Sequence, residues 1–488
     1  GYMLENVIFD TGAEKQEIKD TLKSEVKRLG ERLSVLQQDI KKNDIPVIVL
    51  FEGWGAAGKG SFIGKTILNL DPRGSHTFNT TKPTEEEKRK PFMNRFWCDI
   101  PQNGEITFFD RGWYFEYSKE NNKQIKIFER QLRDNGYLVI KIFLHITKEE
   151  QKARLDKLLA SKNTAWRVSK KDLKENKNYE KNFKKYDEML EMTNTEYAPW
   201  NVVSSMNKTE AMHDILSIIV ENIESRLKSK DSDRIGIRAE SMQHELVDMP
   251  KLKDIDLAIC SMEEDEYRKT LKKLQKKLNK LSYKLYKKRI PLIICYEGWD
   301  AAGKGGNIKR VASSLDPRDY EVTPIAAPVS YEKNRHFLWR FQKKLPKTGH
   351  IVIFDRTWYG RVMVERLEGF CSENAWKRAY NEINEFEAEL TDWGAVVVKF
   401  WLQIDKDEQL KRFNDRKNTP EKQWKITDED WRNREKWDKY EVAVNQMIKY
   451  TSTKNAPWTI IESNSKYYAR IKALETIIAA VEQRLDRE

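Results

Sequence analysis

The sequence predicts an α/β protein of two tandem domains, each a parallel β-sheet flanked by helices and closed by a helical lid. Three observations predict it: segments that recur in order along the chain, short apolar runs alternating with helical patterns, and a glycine-rich turn joining one such run to a helix in each copy. The segment Phe51-Glu52-Gly53-Trp54-Gly55-Ala56-Ala57-Gly58-Lys59-Gly60 returns as Tyr296-Glu297-Gly298-Trp299-Asp300-Ala301-Ala302-Gly303-Lys304-Gly305. Leu70-Asp71-Pro72-Arg73 returns as Leu315-Asp316-Pro317-Arg318, and Phe109-Asp110-Arg111-Gly112-Trp113-Tyr114 as Phe354-Asp355-Arg356-Thr357-Trp358-Tyr359. Lys59 and Lys304 stand 245 residues apart, as do Asp110 and Asp355. Trp166-Arg167 and Trp424-Lys425, like Ala198-Pro199-Trp200 and Ala456-Pro457-Trp458, stand 258 apart, so the second copy carries 13 extra residues after its Trp-Tyr pair. Ordered matches with one clean insertion identify a duplication, with domains expected at 1–240 and 250–488. The join falls near 229–254, a polar stretch of mixed charge.

Each copy is read in the same order. A lysine-rich helical pattern (Lys15–Lys42; Tyr267–Lys288) comes first, its leucines at helical spacing, and should pack on the domain it precedes. Next, an apolar run (Pro46–Phe51; Pro291–Tyr296) ends at the glycine-rich turn and a helix follows. In the second copy Ile351–Phe354 ends at Asp355, and Val396–Ile404 and Trp458–Glu462 complete an expected set of four buried strands. Between the last two lie Arg412, Arg416, Lys417, Lys422, Trp424 and Lys425, then Thr427-x-x-Asp430, a helix N-cap signal. A cationic helical hairpin there would fold over bound phosphates as a lid, with Trp424, Trp431 and Trp437 packing it. The competing reading is a solvated basic face.

Composition narrows the function classes. The chain has 488 residues, 39% hydrophobic and 34% charged, which is neither disordered nor membranous, and no apolar run approaches a membrane span. Cys98, Cys260, Cys295 and Cys371 are scattered without metal-ligand spacing, and a reducing, cytoplasmic setting is expected. Met3 is expected to mark the native start, after Gly1 and Tyr2. A formal charge of +12 suits a polyanionic partner, or simply a soluble surface. No nucleic-acid motif appears, and the sequence leaves homo-oligomer formation open.

Gly298-x4-Gly303-Lys304 has the spacing of a phosphate-cradling loop at a helix N-terminus, so the domains read as P-loop kinase-like. Gly298, Ala302, Gly303, Gly305 and Gly306 would line phosphate oxygens. The Ser or Thr that usually follows the lysine and holds Mg²⁺ is missing, because Gly305 stands there, and Asp300 is the candidate substitute. With Asp355 it would offer two hard oxygen ligands to Mg²⁺. Asp300, Lys304, Asp355 and Arg356 form the expected catalytic set, since phosphoryl transfer needs positioning and charge neutralisation more than covalent chemistry. An internal Asp355–Arg356 ion pair capping the strand is the plainer alternative.

These motifs, with Gly360-Arg361-Val362, Val364-Glu365-Arg366 and Gln423-Trp424-Lys425, resemble the family-2 polyphosphate kinases in their long, duplicated form. The resemblance spans both repeats. It implies a core like that of thymidylate kinase, Mg²⁺-dependent phosphoryl transfer between inorganic polyphosphate and nucleotides, and AMP-to-ADP conversion as the usual reaction of duplicated members. It further implies that Asp300 and Asp355 hold metal and orient nucleotide, that Lys304 is the loop cation, and that Arg356, Arg361, Arg412 and Lys425 meet the phosphate chain or lid. The first repeat departs from the pattern: Gly55 replaces the loop aspartate, Glu116 stands in place of Arg361, and the region matching Glu365-Arg366 is missing. It is expected to be catalytically silent. The rival readings are an ATP-dependent nucleoside monophosphate kinase and a non-enzymatic polyanion-binding scaffold.

Overall fold

The computed structural model describes residues 3–9, 16–229, 244–258 and 260–488. Gly1, Tyr2 and the expected domain end at 240 lie outside the described residues. The chain forms two compact units: Gly1–Pro83, Arg95–Arg234 and Ser330–His336 in one, and Thr84–Asn94, Ile235–Val329 and Phe337–Glu488 in the other.

Unit one contains β1 (Val47–Gly53), β2 (Ser75–Asn79), β3 (Ile106–Asp110), β4 (Leu138–His145) and β5 (Trp200–Ser204) in the order β2-β3-β1-β4-β5. Unit two repeats this with β6 (Leu292–Gly298), β7 (Tyr320–Pro324), β8 (Ile351–Asp355), β9 (Val396–Gln403) and β10 (Trp458–Glu462), ordered β7-β8-β6-β9-β10. Every pairing is parallel. The central strands are apolar and β-branched because helices cover both faces, and β1 is buried along its whole length. Sequence reading expected four strands per copy; among the described residues each sheet has five. The extra ones, β2 and β7, are sheet edges whose side chains are mostly exposed or half-buried, so they lack the apolar run that marked the others.

The leading helices span Gln16–Lys42 and Glu264–Lys288. The first buries Leu29, Leu33, Leu36 and Ile40, spaced along one helical face, and packs on the helix Lys208–Lys228, with Arg32 2.9 Å from Glu224. The second buries Leu278, Leu281 and Leu285 and packs on the helix Lys466–Leu485. Beneath the carboxyl ends of the strands each sheet carries a buried lysine. Lys399, in the middle of β9, donates to Glu387 (2.9 Å), Tyr359 Oη (2.7 Å) and the Thr451 carbonyl (2.8 Å). Glu387 also accepts from Trp358 Nε1 at 2.9 Å. Lys141, Glu129, Tyr114, Thr193 and Trp113 repeat the network in unit one. The Trp-Tyr pair of the recurring motif is therefore an anchor for the loop after β3 and β8.

After β9 come the helices Lys406–Asn418, Asp428–Glu435 and Trp437–Thr451, in the place expected of the lid. Thr427 and Asp430 form a capping box on the second of these. No helix among the described residues is long and apolar enough to cross a membrane.

Candidate active site

The chain leaves β6 toward β7 on one side and leaves β9 toward β10 on the other, so a crevice opens where those loops diverge. Gly298 closes β6 there. A Cβ at Gly298 would lie 2.9 Å from that of Leu402, so the turn has no room for a side chain. Ala301 and Gly303 adopt φ of 67° and 97°, turning the backbone into the helix Lys304–Ala312. For Ala301 that conformation costs on the order of 1 kcal/mol, and Arg412 steadies it by donating from Nη1 to the Ala301 carbonyl at 2.9 Å. The first amides of a helix lack intrahelical partners and point outward, an arrangement suited to an anion.

Four charged groups cross over at this crevice. Lys304 Nζ is 3.5 Å from Asp355 Oδ1, and Arg356 Nη2 is 3.7 Å from Asp300 Oδ1. Asp300 Oδ2 accepts from Asn433 of the lid at 3.1 Å. Gly298, Asp300, Lys304, Arg356, Asn433 and Tyr440 line a cavity of about 100 Å³. Glu297 lies beneath it; burial pushes its carboxyl up, and it accepts from the amide (2.9 Å) and hydroxyl (2.8 Å) of Thr357. Trp299 stacks on Trp437 at 3.6 Å, which ties the loop to the lid's last helix.

The remaining expected residues are placed as follows. Ala302 is buried, Gly305 has open space around its Cβ direction, and Gly306 faces the Arg470 guanidinium. Arg361 is turned onto Glu365 (3.2 Å) and the Phe337 ring. Arg412 is buried and engaged by Glu408 and the carbonyls of Ala301, Ser463 and Asn464, so it braces the loop instead of standing open to a ligand. Burial lowers the Arg416 pKa, and Asp430 and Asp300 pull it back up. Lys425 is exposed beside Trp424, which is 74% exposed; Trp424 does not pack the lid as expected, whereas Trp431 packs on Phe413 and Trp437 on Trp299. Sequence reading missed Thr357, Asn433, Lys466 and Arg470. Burial and the surrounding cations Arg412, Lys422, Arg416 and Arg470 push the Lys466 ammonium down to about 8, the mark of a site with positive charge in excess.

The model of the family described as Polyphosphate kinase 2 (PPK2) matches residues 16–231 and again 261–488. The chain belongs to the polyphosphate kinase 2 family. A polyphosphate:AMP phosphotransferase of Pseudomonas aeruginosa is 39% identical over 95% of this chain and 96% of its own length. One from Acinetobacter johnsonii is 34% identical over 90% and 91%. A crystal structure from Pseudomonas aeruginosa PA01, described as a polyphosphate kinase 2, superposes with a TM-score of 0.83 at 36% identity, covering 96% of this chain and 97% of that one.

The two polyphosphate kinase 2 repeats share their strands but not their site. In repeat one Lys59 turns back on the loop, donating to the carbonyls of Gly53 (2.8 Å) and Trp54 (2.9 Å). Arg111 bonds Glu52 at 3.1 Å, since Gly112 offers that carboxylate no hydroxyl. Gly55 donates its amide to Glu175, which also accepts from Gln151 and Tyr186. Glu175 stands where repeat two has Asn433, again 258 residues on. The acid has moved from the loop to the lid. That paired exchange was readable in the sequence, but only by carrying the repeat alignment into the lid.

Proposed function

We propose that the chain transfers the terminal phosphoryl group of inorganic polyphosphate to AMP, forming ADP, at the crevice of the second repeat. The observation that carries this reading is the crossed set of Asp300, Lys304, Asp355 and Arg356 at a phosphate-type loop, with Asp300, Lys304 and Arg356 lining one cavity. Relatives matched over nearly their whole length are named for this reaction. An AMP phosphate oxygen attacks the terminal phosphorus, the bridging P–O bond breaks, and a chain shorter by one phosphate leaves. AMP needs no general base, because the second pKa of its phosphate is about 6. Lys304 and the helix N-terminus hold phosphate oxygens, and Arg356 offsets charge on the group in transit. Lys466, Arg470, Arg416 and Lys425 extend the cationic track for the donor, while Arg412 positions the loop.

Asp300 and Asp355 fit a hard divalent cation, Mg²⁺ by preference. No group of three or more His, Cys, Asp or Glu able to hold a metal occurs among the described residues. Two carboxylates suit an ion that takes its other ligands from phosphate and water. Bound there, Mg²⁺ would supply charge neutralisation on the phosphates. The same reading makes repeat one silent and places the protein in the cytoplasm, in keeping with its four free cysteines.

The test is ADP formation from long-chain polyphosphate, Mg²⁺ and AMP, run beside Asp300→Asn. The wild type should produce ADP, and the variant should lose about 100-fold or more in kcat. ADP formed only with ATP as donor would replace this reading with a monophosphate kinase.

A further inference from the structure

Beyond the edge strands β2 and β7 each unit takes in a piece of the other repeat. Thr84–Asn94 of repeat one belongs to unit two, and Ser330–His336 of repeat two belongs to unit one. At the offset of 245 that separates Lys59 from Lys304, Thr84–Asn94 corresponds to 329–339, so the same stretch of each repeat crosses over.

Inside unit two the crossed segment is bonded along its length. Thr348 donates its amide to the Arg89 carbonyl at 2.9 Å, and the Arg89 guanidinium donates to Thr348 Oγ1 at 3.1 Å. Lys90 Nζ donates to the Leu345 carbonyl. Asn94 Nδ2 donates to the Gln342 carbonyl and to Gln342 Oε1 at 2.8 Å and 2.9 Å, both residues being buried. Inside unit one, Asn103 donates its amide to the Asn334 carbonyl at 2.8 Å, and Arg335 Nε donates to the Ile100 carbonyl at 3.2 Å. The His336 amide donates to Tyr137 Oη at 3.1 Å, and the His336 ring meets Trp97 edge-on with centroids 4.9 Å apart. Two of these contacts are made twice. Arg89–Thr348 returns as Asn334–Asn103, and Lys90–Leu345 returns as Arg335–Ile100, every matched residue standing 245 positions from its counterpart. The first is a backbone bond kept although both side chains differ between the copies. One position meets a second, and the second meets the first, which is the rule of an isologous contact between two copies.

We propose that the two repeats are each other's binding partner, held by this reciprocal exchange of segments and not by the peptide that joins them. Exchange of an equivalent element between two copies is a low-cost route to a stable pair, and here both copies lie on one chain. Pulling either segment out would leave buried groups such as the Leu345 and Ile100 carbonyls and the Asn94 amide without their partners, a loss that resists separation. The exchange gives repeat one a task that needs no aspartate in its loop. Its segment packs on 342–348, the stretch that leads into β8 and so to Asp355. Only the value of that task to turnover rests on the function proposed above; the exchange rests on the contacts alone.

A protease recognition sequence inserted after Arg234, in the join between the repeats, tests this on the full chain. Once cut, the two fragments should co-elute as one species at about 1 μM. This arm needs no substitution at the contacts. Lys90→Ala combined with Arg335→Ala removes the matched side-chain bond in both directions, and Asn94→Leu removes a buried one. Before cutting, the melting temperatures of these variants show them folded; after cutting, their fragments should associate about tenfold more weakly or worse. Separation of the parent fragments would overturn the proposal, because the joining peptide would then be what holds the repeats. Equal association of parent and variant fragments would overturn it too, by assigning the hold to another surface. Association is read without turnover, so the result stands whether or not the chain makes ADP from polyphosphate.

Discussion

Arg111 and Arg356 share a strained backbone, with φ of 77° and 67°, and each donates its amide to the central strand, yet their side chains differ in exposure: 22% against 53%. The difference follows from the next residue. Gly112 leaves Glu52 to the arginine, whereas Thr357 occupies Glu297 and frees Arg356 for the crevice. Thr357→Gly should therefore draw Arg356 onto Glu297 and lower kcat about tenfold or more, with Thr357→Ser retaining most of it; steady-state ADP formation reads both. The acid exchange gives a second outcome at this scale. A Cβ on Gly55 would lie 2.5 Å from Asp172 and 3.5 Å from Glu175, so Gly55→Asp sets three carboxylates together. It should destabilise by roughly 1–3 kcal/mol, and adding Glu175→Asn should recover much of that, a coupling that denaturant midpoints of the single and double variants would expose. Gly55 was legible in the sequence as a defect because the loop motif has a known spacing. Glu175 was legible only through the repeat alignment carried into the lid, and Thr357 was not, since a hydroxyl beside a strand looks like ordinary surface until its partner is seen.

At the scale of elements, the buried strands were legible because parallel sheets covered on both faces leave continuous apolar runs, while edge strands β2 and β7 leave none. Lys399 interrupts one of those runs without breaking the strand, because Glu387, Tyr359 and the Thr451 carbonyl satisfy its ammonium inside the protein. Lys399→Met would strand the Glu387 carboxylate and should cost about 3–5 kcal/mol, measured by denaturant unfolding. The helix Glu373–Asp392 carries a further titrating group. Burial, with Asp392 and Glu385 nearby, pushes the Glu389 carboxyl up to about 8. Between the ordinary glutamate value of about 4.3 and about 8 the folded chain holds a proton that the unfolded chain has released. Stability from this group is therefore complete below that window and declines as pH rises through it. Glu389→Gln should flatten that slope, and melting temperatures from pH 5 to 8.5 would show it.

For the whole molecule, duplication has preserved the sheet while only one copy keeps an aspartate in the loop. Asp110 and Asp355 end equivalent strands in equivalent register, paired with Phe51 and Tyr296 of the central strands. Fold alone gives no reason to prefer either. Around Asp110, however, burial pushes the carboxyl up, Lys59 is bonded to its own loop, and Glu175 fills the place of an amide. Asp355 faces Lys304 beside a loop that carries Asp300. An acid that neither meets a metal partner nor faces an open loop has no means of handling phosphate, so the two aspartates should respond unequally to the same change. Asp355→Asn should lower kcat for ADP formation from polyphosphate by about 100-fold or more; Asp110→Asn should leave it within about twofold, as for a substitution away from the reacting atoms. Equal losses in folded variants would mean that both repeats contribute to turnover, and the silent first repeat would have to be abandoned.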